Sequence, residues 1–407
     1  VPPKTGTRAS TGAGDGIRSR PRAVLPALCA TQITSWGVLY YAFPVLLPRL
    51  SADTGWSATA ISGAFSAALL ISALAGIPIG RILDRRGPRA VMTTGSVLGT
   101  ACVLAIATAP NFAVFIAAWL CAGVAMAATF YPPAFAAVTR WWGPDRVRAL
   151  TIVTLAGGLA STLFAPLSAT LAQHLGWRAA YAVLAAVLAL VTIPAHALSL
   201  RAPWPPAPTT IPAPGAEHGR TPVARTGPFL MLTAAMTLSA LTVYAVVIAL
   251  VPLMTERGAT PTQAAWALGL GGLGQTLGRL GYAPLARHTG TTARTVLLIA
   301  AGGATTAALA LVPGPLPLLI ALSMAAGMVR GNLTLLQATA VTDRWGTRHY
   351  GRLTGLLSAP ITLATGLAPF TASALAEPLG GHAHLFLALA GLSLAGALLA
   401  LRSQPRE

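Results

Sequence analysis

Two arginines, Arg279 and Arg330, lie inside long apolar runs of this chain, and none of its nine acidic residues does. A guanidinium near the centre of a bilayer costs on the order of 3 kcal/mol on insertion scales. With no acid beside it, such a cation needs water, backbone carbonyls or an anion brought from outside. A planar guanidinium holds a carboxylate through two parallel hydrogen bonds. The pair therefore reads as a binding site for a small organic anion, a carboxylate first of all. Arg330 stands about 13 residues into its run, roughly 20 Å along a helix, near a midplane. Arg279 stands roughly 12 Å before Arg287, which marks the end of its own run. For Arg279, snorkelling to the interface or bonding helix carbonyls is the competing reading.

Helical spacing gives these cations neighbours. Gln275, Arg279 and Tyr282 share one face, as do Arg330, Thr334 and Gln337. Gln32, Trp36, Tyr40 and Phe43 form a third stripe, which serves either a cavity or plain packing. The candidate binding residues are Arg279, Arg330, Gln275, Tyr40, Thr334 and Gln337. Tyr131-Pro132-Pro133 must interrupt backbone bonding locally, at a cavity or at a simple kink. His196 is the one histidine inside a run, and its nearness to Arg201 suggests an interfacial position. Cys29, Cys102 and Cys121 all fall in apolar runs, so neither a disulfide framework nor a metal site is expected. No nucleophile–base set, phosphate-binding glycine loop or cofactor motif has a usable context, so catalysis and cofactors are not expected.

The elements that must position these residues are membrane spans. Of 407 residues, 55% are hydrophobic and only 9% charged, with a mean hydropathy of +0.68. Soluble chains carry about 25% charged residues. A soluble enzyme, a nucleic-acid binder and a disordered scaffold are all excluded on that ground, and the lipid bilayer is the implied partner. Runs of about 20 apolar residues fall near 23–47, 58–82, 90–109, 112–138, 150–172 and 179–200, then 228–254, 263–285, 294–312, 316–341, 352–376 and 385–401. The expected fold is all-α and integral to the membrane, twelve helices in two sixes. Residues 1–22 read as a disordered basic tail, 23–200 as a first half, 201–227 as a proline-rich linker and 228–407 as a second half. Of the 27 basic residues, 22 fall on one side of this arrangement, and only Arg49, Arg178 and Arg257 on the other. The positive-inside rule then puts both termini, tail and linker in the cytoplasm.

Between the second and third runs stands Gly80-Arg81-Ile82-Leu83-Asp84-Arg85-Arg86-Gly87-Pro88-Arg89. This resembles the G-x-x-x-D-R-x-G-x-R signature of the major facilitator superfamily. Gly80 would allow close helix approach, Gly87 would support the turn, and Asp84 would pair with arginines or a helix N-terminus. The resemblance implies that Gly80, Asp84, Arg85, Gly87 and Arg89 govern a conformational switch. Arg287-His288-Thr289-Gly290 resembles a degraded copy without the acid, as an internal repeat of two halves would leave. Within the superfamily the chain looks most like the monocarboxylate transporter and oxalate/formate antiporter branch. The residues behind this are Tyr40-Tyr41-Ala42-Phe43-Pro44, Gly55-Trp56-Ser57, Ala165-Pro166-Leu167, Gly176-Trp177-Arg178 and Gln275-x-x-x-Arg279. In that branch the last motif begins with aspartate, and its arginine meets the substrate carboxylate. Here Gln275 replaces the acid, and the first run lacks the lysine found in many such carriers.

What the resemblance implies is a secondary transporter in the plasma membrane, acting as a monomer on a small organic anion, by exchange or with a proton carried alongside. Two alternatives stay open: an efflux pump for hydrophobic drugs or natural products, and a membrane sensor that transports nothing.

Overall fold

Apolar runs without charge must satisfy their own backbone N–H and C=O groups in lipid, which a helix does within a single segment. The computed structural model describes residues 22–204, 222–346 and 350–404, and their regular structure is entirely helical. The expected tail, Arg22 apart, and most of the expected linker lie outside the described residues. The first half contains α1 (Val24–Trp36), a π-helical turn (Gly37–Tyr41), α2 (Ala42–Thr54), α3 (Ala58–Arg86), α4 (Pro88–Thr108), α5 (Phe112–Thr129), α6 (Tyr131–Trp142), α7 (Arg146–Gly158) and α8 (Ala160–Ser199). The second half contains α9 (Gly227–Glu256), α10 (Pro261–Leu280), α11 (Tyr282–His288), α12 (Thr291–Leu311), α13 (Leu316–Thr339), α14 (Thr342–Trp345), α15 (Tyr350–Ala376) and α16 (His382–Leu401).

Among the described residues, nine helical stretches are long and apolar enough to cross a membrane. One of them, Arg146–Ser199, has 54 residues. At 1.5 Å per residue it would measure about 80 Å, far more than a bilayer core. It doubles back at Gly176, whose φ of 79° only glycine adopts freely. Two further rods, 24–54 and 261–288, are interrupted by the π turn and by a break at Gly281. Twelve spans are compatible with these breaks. Phe130 is extended between α5 and α6, at the point where Pro132 and Pro133 remove two backbone donors.

Within each half the helices pack side by side: α4 on α5 and α8, α10 on α13, and α16 on α9 and α12. The halves meet where α3 faces α15 and where α8 faces α10. Along α3 the seam is closed at one end only. Thr59 Oγ1 donates to the Ser373 carbonyl at 3.2 Å, Ser62 and Ser373 share a hydroxyl hydrogen bond of 2.7 Å, and the Phe370 N–H donates to Ser66 at 2.9 Å. Further along, Leu74 and Ile77 are 66% and 61% exposed, so α3 stands clear toward Gly80. No atom approaches within 4 Å of where a Gly80 Cβ would stand. The close helix approach expected at Gly80 is therefore not made in this conformation.

The rest of the signature makes a tight turn. Gly87 (φ 77°) ends α3, its N–H bonds the Leu83 carbonyl, and a Cβ on it would press on the Trp204 ring at 3.1 Å. Asp84 pairs with Arg140 of α6 at 2.6 Å, and Arg89 donates to the Ala197 carbonyl of α8 at 2.9 Å. The second half makes a similar tie with the charges exchanged: Arg294 of α12 pairs with Asp343 of α14 at 2.5 Å. The three basic residues on the sparse side also have structural partners. Arg178 donates to the Ala107 and Ala109 carbonyls where α4 ends, Arg257 to Ala310 and Val312 where α12 ends, and Arg49 to Ala172 of α8. For Arg178 and Arg257, a cation at a helix C-terminus meets unpaired carbonyls and the negative end of the dipole.

Candidate functional site

The site begins with glycines. On α13, Gly327 and Gly331 press against the backbone of Gly271 and Gln275 of α10; on α10, Gly274 and Gly278 press against Met324 and Met328. A Cβ at any of the four would collide with a backbone carbonyl. Small residues let two membrane helices approach this closely. The consequence is that Gln275 and Arg330 face each other, and Arg330 Nη2 donates to Gln275 Oε1 at 3.1 Å.

This bond leaves most of the cation unanswered. Arg330 Nε is buried with no hydrogen-bond partner, and no carboxylate pairs with Arg330 or Arg279 among the described residues. Gln275 is 8% exposed and uses its oxygen on Arg330. Opposite them stands the π turn, a feature often found at functional sites. Gly37 opens that turn because a Cβ there would strike the Phe164 ring. The turn presents Tyr40 and Tyr41, and the Tyr40 hydroxyl, on a residue 2% exposed, is buried without a partner. Buried polar groups are satisfied in the great majority of cases, so a guanidinium nitrogen and a phenol without partners, on two residues that line one space, set this place apart.

That space is a cavity of about 90 Å³ between the halves. Five of the six residues expected to bind line it: Tyr40, Gln275, Arg330, Thr334 and Gln337. Arg279 is not part of its lining. Its guanidinium passes Gly158 and donates to the Thr154 carbonyl of α7, across the seam, with Tyr131 close by. Of the outcomes open to it from sequence, Arg279 takes the backbone carbonyl. The break at Gly281 separates Tyr282 from the same face, and Tyr282 shares a hydroxyl bond with Thr339 at 2.9 Å.

The aromatic stripe on the first rod divides. Gln32 donates to the Thr129 carbonyl at 2.7 Å, Trp36 stacks on Phe130 with ring centroids 4.1 Å apart, and Phe43 stacks on Phe65 at 4.0 Å. Of that stripe, only Tyr40 lines the cavity. His196 of α8 is fully buried against α4, sharing a 2.8 Å bond with Ser96. Three polar lining residues, Tyr41, Ser239 and Tyr244, were not among the candidate binding residues. Tyr244 meets Tyr40 edge to face at 6.4 Å, and the only sequence signal for it is that it is the one tyrosine in its run.

The profile of the Major Facilitator Superfamily matches residues 28–245 and again 230–407. Monocarboxylate transporter 13 of Bos taurus is 28% identical over 350 residues, covering 83% of this chain and 79% of that protein. Monocarboxylate transporter 11 of Homo sapiens is 28% identical over 409 residues, covering 92% and 81%. Among solved structures, a bacterial homologue of the human lysosomal transporter Spinster, inward-facing and unoccupied, superposes with a TM-score of 0.70 at 14% identity, over 95% of each chain. The nucleoside transporter NupG superposes equally well, with a TM-score of 0.70 at 14% identity, over 93% of this chain and 98% of that one. At such identities these structures speak for the fold alone.

Proposed function

The chain belongs to the Major Facilitator Superfamily, as a transporter related to the monocarboxylate transporters, and on that premise we propose that it moves a small organic anion, a carboxylate by preference, across the plasma membrane. The observation that carries this reading is Arg330: a cation on the cavity between the halves, with its Nε unpartnered and no acid beside it. Arg330 holds the carboxylate, and Gln275 fixes the guanidinium while its own Nε2 stays available. Tyr40 donates its unpartnered hydroxyl, and Thr334 and Gln337 orient the remainder. Arg279, tied to the Thr154 carbonyl, works at the seam, attracting the anion as the halves move apart. With no carboxylate on the cavity to carry a proton, coupling is by exchange or by a proton that travels with the substrate. Both termini lie in the cytoplasm, and the protein works as a monomer by alternating access.

The reading is tested by counterflow in proteoliposomes against a panel of labelled mono- and dicarboxylates, with lipophilic drugs as competitors. Carboxylates exchange and the drugs do not compete. If no anion moves, or the drugs displace the label, the reading is wrong and drug efflux replaces it.

Tyr40→Phe separates binding from folding. Removing a buried hydroxyl that has no partner leaves the thermal midpoint unchanged or slightly raised. Loss of a hydrogen bond to a charged group costs about 2 kcal/mol, so the substrate Kd rises by more than tenfold. A fall in both stability and affinity would mean that the hydroxyl serves packing.

The turn at Gly87 takes the switch role. Asp84 is 63% exposed in its pair with Arg140, and an exposed pair contributes at most about 1 kcal/mol to stability. Asp84→Asn therefore slows initial uptake severalfold while the melting temperature scarcely moves. Uptake at the parent rate would remove the motif from the switch.

A further inference from the structure

The break between α5 and α6 has a cause in the sequence. Pro132 and Pro133 stand four residues after Ala128 and Thr129, and cannot supply the N–H groups those carbonyls would take in a continuous helix. Thr129 is 1% exposed, so water does not answer its carbonyl. Gln32 of α1, itself fully buried, does so instead, donating from Nε2 at 2.7 Å. The α5 side of this joint is fixed against α4, where a Cβ on Gly95 would meet the Ala128 and Thr129 side chains at 2.6 and 2.9 Å. The α6 side is a rod of 12 residues, about 18 Å long. Its near end sets Tyr131 beside Arg279 at the seam, and its far end brings Arg140 to Asp84 in the charged turn. Trp36, one turn after Gln32, stacks on Phe130 at 4.1 Å and stands 5.5 Å from the Tyr40 ring.

We infer that the joint at Phe130 is a hinge on which α6 turns when the Asp84–Arg140 pair releases, and that Gln32 is the residue that positions it. One side-chain amide in place of a backbone ladder keeps the Thr129 carbonyl satisfied while α6 changes its angle to α5. Proline breaks and element ends are where such angle changes are absorbed. A swing of about 20° moves the far end of α6 by about 6 Å. With the charged turn at one end of the rod and the seam arginine at the other, that swing couples the two. Gln32 does not line the cavity; it acts there through Phe130 and Trp36, whose stacking carries the angle of the joint to Tyr40. The hinge serves any substrate and is independent of the carboxylate on Arg330.

The test places spin labels on exposed positions either side of the joint, Val124→Cys on α5 and Thr139→Cys on α6, in the full chain in nanodiscs with Cys29, Cys102 and Cys121 changed to alanine. Freeing the far end with Asp84→Asn moves the label distance by about 4 Å, the same swing read nearer the joint. Returning both backbone donors with Pro132→Ala/Pro133→Ala gives one distance that Asp84→Asn does not move. A distance unmoved by Asp84→Asn while the prolines are in place overturns the hinge. Gln32→Leu broadens the label distance even with Asp84 intact, a change that a purely stabilising amide would not make. It also strands the Thr129 carbonyl and lowers the thermal midpoint by roughly 2 °C, which Pro132→Ala/Pro133→Ala in the same chain recovers. An unchanged label distance in Gln32→Leu overturns the positioning role, as does a midpoint that the two alanines fail to recover. Should Gln32→Leu not fold, the label distances in the chains that keep Gln32 decide the hinge.

Discussion

Replacing Arg330 by glutamine lowers kcat/KM for carboxylate counterflow on the order of a hundredfold, with the melting temperature unchanged. The size follows from leaving a desolvated carboxylate without its cation, which costs about 3 kcal/mol. The unchanged stability follows from the state of the empty protein. There the guanidinium has one neutral partner, Gln275 Oε1, and a buried Nε with none, so its removal relieves as much desolvation as it loses in bonding. Arg330→Lys keeps the charge but not the two-pronged geometry, and recovers about a tenfold share of the loss. Initial rates in proteoliposomes at matched protein content read both variants. Parent-like transport by Arg330→Gln would sink the assignment of the cavity.

Gly331→Ala is expected to act as strongly through a different cause. A single Cβ there collides with the Gln275 carbonyl, and overpacking between fixed backbones costs about 2 kcal/mol. The helices α10 and α13 must separate, which pulls Gln275 off Arg330. The melting temperature falls by roughly 2 °C and transport falls with it. Gly391 supplies the control, because a Cβ there meets nothing within 4 Å. Gly391→Ala gains up to about 1 kcal/mol of helix propensity and leaves transport alone. Equal behaviour of the two substitutions in a thermal melt would show that the close approach of α10 and α13 does not matter.

The membrane architecture was legible because apolar runs and excluded charge leave the backbone few choices. Arg330, Thr334 and Gln337 could be grouped from helical spacing, and they do line one cavity, because one straight helix carries all three. Arg279 shows where spacing stops. It lies one turn from Gln275, yet the face they share is divided: Gln275 meets α13, and Arg279 reaches α7 across the seam. Which neighbour a face meets is set by packing between helices that the sequence pattern does not encode. The same limit hid Tyr244, whose helix reads as uniformly apolar, and the partner of His196, Ser96, which lies 100 positions away. Gly80 fits its motif, but nothing stands within 4 Å of where its Cβ would be, so the contact its size would permit is not made in this structure.

The central claim is that Arg330 recognises negative charge on the substrate. Its most direct measurement compares a transported monocarboxylate with its primary amide, near in shape but neutral, as competitors in counterflow by the parent and by Arg330→Gln. The account predicts that the parent prefers the carboxylate on the order of a hundredfold, and that Arg330→Gln brings the two within a few-fold of each other. A preference of the same size in both proteins, or none in the parent, would contradict it.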